Sequence, residues 1–235
     1  MARLSRFEVP DQPHLVIQRG IGGQPVFIDD ADRRGYLNAL IGAARMSGVA
    51  IHAYALTTDS TFLLVTPGQP GALGRCMQRV GRSHAAGFNQ RHSRVGALWA
   101  GRFGASIVEP ERYLLASMRF VEQAPVRCGA VAEPLGWPWS SAGHHVGRET
   151  SPWIIEHPVY WSMGNTPFER EARYGTDLQE PLDDALLEVF GRAVPRGWPV
   201  GSVEFVAGLG AVLRGRQTQP RPRGRPRRLS LIGSE

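Results

Sequence analysis

The chain has 235 residues, 42% of them hydrophobic and 20% charged, the make-up of a globular fold with a sizeable core rather than of a disordered or collagen-like chain. No run of about 18 apolar residues escapes a charge or a breaker, and Arg3, Arg6 and Glu8 interrupt the first residues, so neither a membrane span nor a secretory leader is expected. A net charge of +6 and two cysteines, Cys76 and Cys128, without metal-like spacing, point to a reduced cytoplasmic protein with a polyanionic partner.

The positive charge is concentrated. Residues 60–108 hold six arginines and no acid, and residues 214–235 hold seven arginines against one acid, whereas residues 109–213 are acidic. Segregated charge of this kind suggests nucleic acid. All 27 basic residues are arginine, which coding bias in a GC-rich genome explains at least as well as selection for bidentate phosphate contacts.

In chain order, His14–Arg19 reads as a first strand, broken by the turn Gly20-Ile21-Gly22-Gly23-Gln24-Pro25. Asp29 or Asp30 can cap a helix to about Ser47, whose apolar face is Tyr36, Leu37, Leu40, Ile41 and Ala44. Gly48 ends it. Val49–Leu56 and Thr61–Thr66 read as the second and third strands, and Pro67-Gly68-Gln69-Pro70-Gly71 as a turn. The helix from about Ala72 to Gln90 is two-faced. Leu73, Met77, Val80, His84 and Phe88 follow one side and Arg75, Arg79 and Arg82 the other, so the first should meet a sheet and the second water or phosphate. A fourth strand over Phe103–Val108 and a helix from Pro110 to Gln123, with proline in its first turn, come next. Trp137-Pro138-Trp139-Ser140-Ser141 reads as a rigid aromatic segment. Residues 152–213 look helical, Asp183–Phe190 most clearly, and Ser202 is a candidate cap for a last short helix. From Arg214 the Arg/Pro-rich tail has almost no apolar content and should not fold alone.

Several segments together resemble the REP-associated tyrosine transposases, a branch of the HUH single-strand transposases. They are Ile51-His52-Ala53-Tyr54, Phe88-Asn89-Gln90-Arg91-His92, Leu98-Trp99-Ala100-Gly101-Arg102-Phe103, Pro125-Val126-Arg127-Cys128-Gly129 and Trp137-Pro138-Trp139-Ser140-Ser141, followed by Gly201-Ser202-Val203-Glu204-Phe205 and Arg223-Gly224-Arg225-Pro226. The resemblance implies an α/β (α+β) sandwich, with helices packed on a ferredoxin-like four-stranded antiparallel sheet. It divides the chain into a transposase-like domain over residues 1–148, a helical extension over 149–213 and a basic tail over 214–235. It also implies chemistry: two histidines at i and i+2 on a strand hold a divalent metal such as magnesium or manganese, and a tyrosine attacks the phosphodiester of single-stranded or hairpin DNA.

The chain departs from that pattern at the reacting positions. Ser60 and Phe62 stand where the histidine pair is expected, and a phenyl ring cannot ligate a metal. His84 is aligned with the tyrosine, and Gly104 stands where a basic residue is usual. The expectation is therefore a DNA-binding protein without strand cleavage and without a cofactor. Arg75, Arg79, Arg82, Arg91, Arg94 and Arg102 would hold phosphates, and Arg223 and Arg225 would lie in an AT-hook-like tail anchoring the protein to the nucleoid. The alternative is an active metal-dependent nuclease with a site rebuilt around His84.

Overall fold

The computed structural model describes residues 7–210. The tail arginines Arg223 and Arg225 lie outside these residues. Four strands, β1 (His14–Arg19), β2 (Val49–Leu56), β3 (Ser60–Pro67) and β4 (Gly104–Ile107), form one sheet in the order β2-β3-β1-β4, and every pairing is antiparallel. Helix α1 (Asp30–Ser47) connects β1 to β2, and α2 (Ala72–Arg91) connects β3 to β4. This is the ferredoxin-like α+β arrangement. After β4 come α3 (Pro110–Glu122), α4 (Ala124–Arg127), α5 (Ala142–His145), α6 (Pro158–Trp161), α7 (Pro167–Gln179), α8 (Asp184–Arg196) and α9 (Val203–Gly208).

Local chemistry sets the helix ends. Asp29 accepts from the Asp32 N–H while the Asp32 carboxylate accepts from the Asp29 N–H, a reciprocal cap at the start of α1, and Gly48 closes the helix in the left-handed region at φ 68°. The start of α2 lacks such a cap, because Gly71 has no side chain. Glu8 substitutes from a distance: its carboxylate accepts from the Leu73 and Gly74 N–H groups at 3.0 and 3.4 Å, where a negative charge is stabilised by the helix dipole.

Strand alternation divides the core in two. Val16, Leu63, Val65 and Ala105 face α1 and α2, together with Tyr36, Leu40, Met77 and Val80. Leu15, Ile17 and Leu64 face the other way, where they meet Leu114 and Met118 of α3, Tyr174 of α7 and Phe190 and Val194 of α8. Helices α7 and α8 thus pack on the face of the sheet opposite the arginine-bearing α2. Both sheet edges are covered. Trp139, Ser141 and Ile155 bond the β2 backbone at 2.8–2.9 Å, and Val200 donates to Ile107 at 2.7 Å beside β4, which leaves little edge for a further strand.

Candidate nucleic-acid interface

The three positions aligned with a catalytic set do not converge. In β3, Phe62 and Leu64 point toward α3 and α8 whereas Leu63 and Val65 point toward α1 and α2, and alternation places Ser60 with Phe62. His84 belongs to the α1–α2 side, beneath Phe27, Tyr36, Phe88 and Trp99, with ring centroids 4.9–5.9 Å away. The sheet itself separates His84 from the Ser60 and Phe62 side chains.

The helices packed on that strand face are α3, α7 and α8. The ring that meets Phe62 there is Phe120, 6.2 Å away edge-on, and a phenyl ring has no nucleophilic atom. Phe120 in turn packs on Phe190 of α8 at 5.0 Å and carries the Arg127 guanidinium 4.2 Å above its ring. Gly104, on the neighbouring part of the sheet, lies so close to α8 that a Cβ there would fall 2.8 Å from the Val194 carbonyl oxygen. Around the half-buried Phe62 the strand face is lined by aromatic rings. Ser60 and Phe62 do not fit a divalent ion: one hydroxyl is a poor donor and the phenyl none.

His84 offers no substitute nucleophile. It is buried, and its Nε2–H donates to the Val26 carbonyl at 2.8 Å. Burial holds its pKa below the usual histidine value, so the ring is a neutral, hydrogen-bonded core group. Tyr36 bridges it to β3, its hydroxyl donating to Thr61 at 3.3 Å.

The six arginines expected to touch phosphate separate into two kinds. Arg91 is committed within the protein: it pairs with Asp29 at 2.7 Å and with the Asp32 carboxylate, which is 1% exposed. The guanidinium holds the Asp29 carboxyl well below the usual carboxylate range. His92 donates to Asp32 at 2.9 Å, and the Ile28 N–H does the same at 2.9 Å. Asp29, Asp32 and His92 are the group of metal-type donors found within 4.8 Å of one another among the described residues. With Arg91 seated on both carboxylates, the cluster is a clasp between the start of α1 and the end of α2, not a vacant cation site.

Arg75, Arg79, Arg82, Arg94 and Arg102 make no ion pair with any described residue. Arg75 donates to the Pro70 carbonyl at 3.3 Å, and Arg79 lies 3.3 Å from the Met46 sulfur. Arg94 donates to Asn89, Gln24 and the Ala97 carbonyl at 2.9–3.2 Å, all neutral acceptors. Arg82 and Arg102 are exposed. Arg75, Arg79 and Arg82, with Gln78 and with Met46 and Ser47 from the end of α1, line a groove of about 480 Å³.

Three tryptophans are packing groups. Trp137 donates to the Leu56 carbonyl at 3.0 Å and lies under the Arg33 guanidinium, Trp139 donates to Asp30 at 3.0 Å, and Trp99 donates to the Gly81 carbonyl at 3.1 Å. Sequence reasoning missed a buried polar network behind α3. Glu122, 0% exposed, accepts from Ser141 at 2.5 Å and from His145 and Tyr174 at 2.6 Å each. The partners lie 19, 23 and 52 residues away, so no local pattern announces them. The network ties α3, α5 and α7 together.

No family model matches the sequence, and no curated protein matches it. Solved structures do. A REP-associated tyrosine transposase bound to a REP hairpin superposes with a TM-score of 0.52 at 16% identity, over 68% of this chain and 93% of that one. A provisionally assigned transposase from Deinococcus radiodurans superposes with a TM-score of 0.36 at 20% identity, over 51% of this chain and 94% of that one. No helix among the described residues is long and apolar enough to cross a membrane. In its strand order, its two-sided core and its superposition, the chain has the fold of a REP-associated tyrosine transposase.

Proposed function

We propose that this chain is a transposase-derived protein that binds single-stranded or hairpin DNA and does not cut it. The observation that carries the reading is the contrast between the two faces of the sheet. On one, Phe62, Phe120 and Phe190 pack where an ion and a nucleophile would have to meet. On the other, exposed arginines of α2 line a groove without a carboxylate partner. Strand transfer needs a charge neutraliser at the phosphoryl group and a nucleophile aligned with it, and neither is supplied by serine and phenylalanine. Backbone binding needs guanidinium groups on an open surface, which suits Arg75, Arg79, Arg82, Arg94 and Arg102. The neighbour bound to a REP hairpin supports a folded strand as the substrate class. The tail residues Arg223 and Arg225 would add a sequence-tolerant anchor on nucleoid DNA. In this reading residues 1–148 carry the transposase-like unit, 149–213 cover its former reacting face and 214–235 form the tether.

Two measurements test this. Mobility shifts with hairpin DNA across a salt series should show binding that weakens steeply with salt, and no binding at low salt ends the idea. Incubation with the same hairpin plus magnesium or manganese should leave it intact. Nicked product, or a covalent adduct lost in His84→Ala, would establish the enzyme reading instead.

A further inference from the structure

The groove beside α2 has a composition that the general reading does not explain. Arg75, Arg79 and Arg82 are spaced i, i+4, i+7, so they rise along one helix face over about 10 Å. Gln78 lies on the same face, and Ser47 and Met46 form the opposite wall. Met46 is 68% exposed, an apolar side chain set among three guanidinium groups. Carboxylates that could neutralise the row are occupied elsewhere: Glu8 caps the first turn of α2, and Asp29 and Asp32 hold Arg91 at its far end. A solvated helix face normally interleaves acids with bases, but residues 60–108 contain no acid.

We infer that this groove is a binding site for a single nucleic-acid strand, separate from the former reacting face and on the other side of the sheet. The inference rests on the DNA-binding reading and assigns its contact surface. Arg75, Arg79 and Arg82 hold phosphates of consecutive nucleotides, one charge-assisted contact for each guanidinium. Met46 supplies a soft apolar surface for one nucleobase. A duplex keeps its bases inside and would present only sugar and phosphate to Met46, so the groove favours an unpaired strand such as a hairpin foot. The separation of the two surfaces explains how binding persists while the strand face has filled with phenyl rings.

The test is fluorescence anisotropy with a labelled 15-nucleotide oligothymidine, and with a duplex of equal length, over a salt series. Arg75→Ala, Arg79→Ala and Arg82→Ala should each lower the salt slope by about 0.7 on the single strand. Met46→Ala should weaken single-strand binding several-fold, leave the slope unchanged and spare the duplex. Arg112→Ala, an exposed position on α3, is the control for diffuse charge and should leave the slope unchanged. Thermal melts confirm that each variant is folded. If wild type binds the strand but the groove variants keep its slope, or Arg112→Ala lowers it equally, the groove assignment falls and the DNA-binding reading stands. If Met46→Ala weakens both ligands alike, the single-strand assignment falls. If wild type binds neither ligand at low salt, both readings fall.

Discussion

Replacing Gly104 with alanine tests whether α8 is seated on the sheet as described. Gly104 has an ordinary strand conformation, since it is absent from the positive-φ glycines. On backbone entropy alone Gly104→Ala should stabilise the protein by about 0.4–1 kcal/mol. Packing reverses the sign. The new Cβ would lie 2.8 Å from the Val194 carbonyl oxygen, 3.1 Å from its Cγ1 and 3.2 Å from its carbonyl carbon. The closest of these is backbone and cannot rotate away, so α8 must shift by several tenths of an ångström. That shift is resisted by Phe190 and Val194, which are at most 1% exposed, and by the bond from Ser106 to the Trp198 carbonyl. Overpacking of this kind costs about 1–3 kcal/mol, so the net loss should be about 1–2 kcal/mol, or a Tm lower by roughly 2–8 °C for a domain of this size. Gly42, on the exposed side of α1 with nothing within 4 Å of its Cβ position, is the matched control. Gly42→Ala should raise stability by about 0.5–1 kcal/mol. Urea or thermal melts of the two variants decide. If Gly104→Ala melts at or above wild type, α8 does not press on β4 and the account of the covered face is wrong.

Other consequences follow from the buried charges and rings. Burial lowers the pKa of His14 and of His52 from 6.5 to about 4. Both rings are neutral in the fold and take up protons on unfolding, so their stabilisation is complete above pH 6.5 and is lost as pH falls toward 4. The loss should reach about 3 kcal/mol per ring, and denaturant midpoints equal at pH 7.5 and 4.5 would contradict it. Asp32→Asn removes the anion that holds Arg91 and His92 and weakens the cap of α1. It should cost roughly 2–4 kcal/mol in chemical unfolding, and a neutral result would show that the clasp contributes little. Phe190→Ala leaves a cavity against Phe120 and should cost about 3–5 kcal/mol, whereas an unchanged midpoint would show that α8 is only loosely seated.

Local signals carried the elements. The span His14–Arg19 for β1, Val49–Leu56 for β2 and the start of α2 at Ala72 were legible because strand runs, glycines and prolines mark them over a few residues. The aspartates before α1 and Ser202 before α9 likewise announced their caps, each of which accepts the expected N–H bond. Charge segregation was legible too, since an acid-free window is a property of sequence alone. The fate of individual side chains was not. Arg91 and Arg79 look alike in the sequence, yet Arg91 is paired with carboxylates 59 and 62 residues away while Arg79 borders an open groove. The resemblance groups His84 with Ser60 and Phe62, but α2 packs on one face of the sheet and the side chain of Phe62 lies on the other, so the sheet stands between them. The partner of Phe62 is Phe120, 58 positions downstream. Sequence determined the elements, the charge balance and the serine and phenylalanine at positions 60 and 62, because these are properties of the chain itself. Which arginines stay open, and which rings pack against Phe62, depended on long-range packing, and tertiary structure alone decided it.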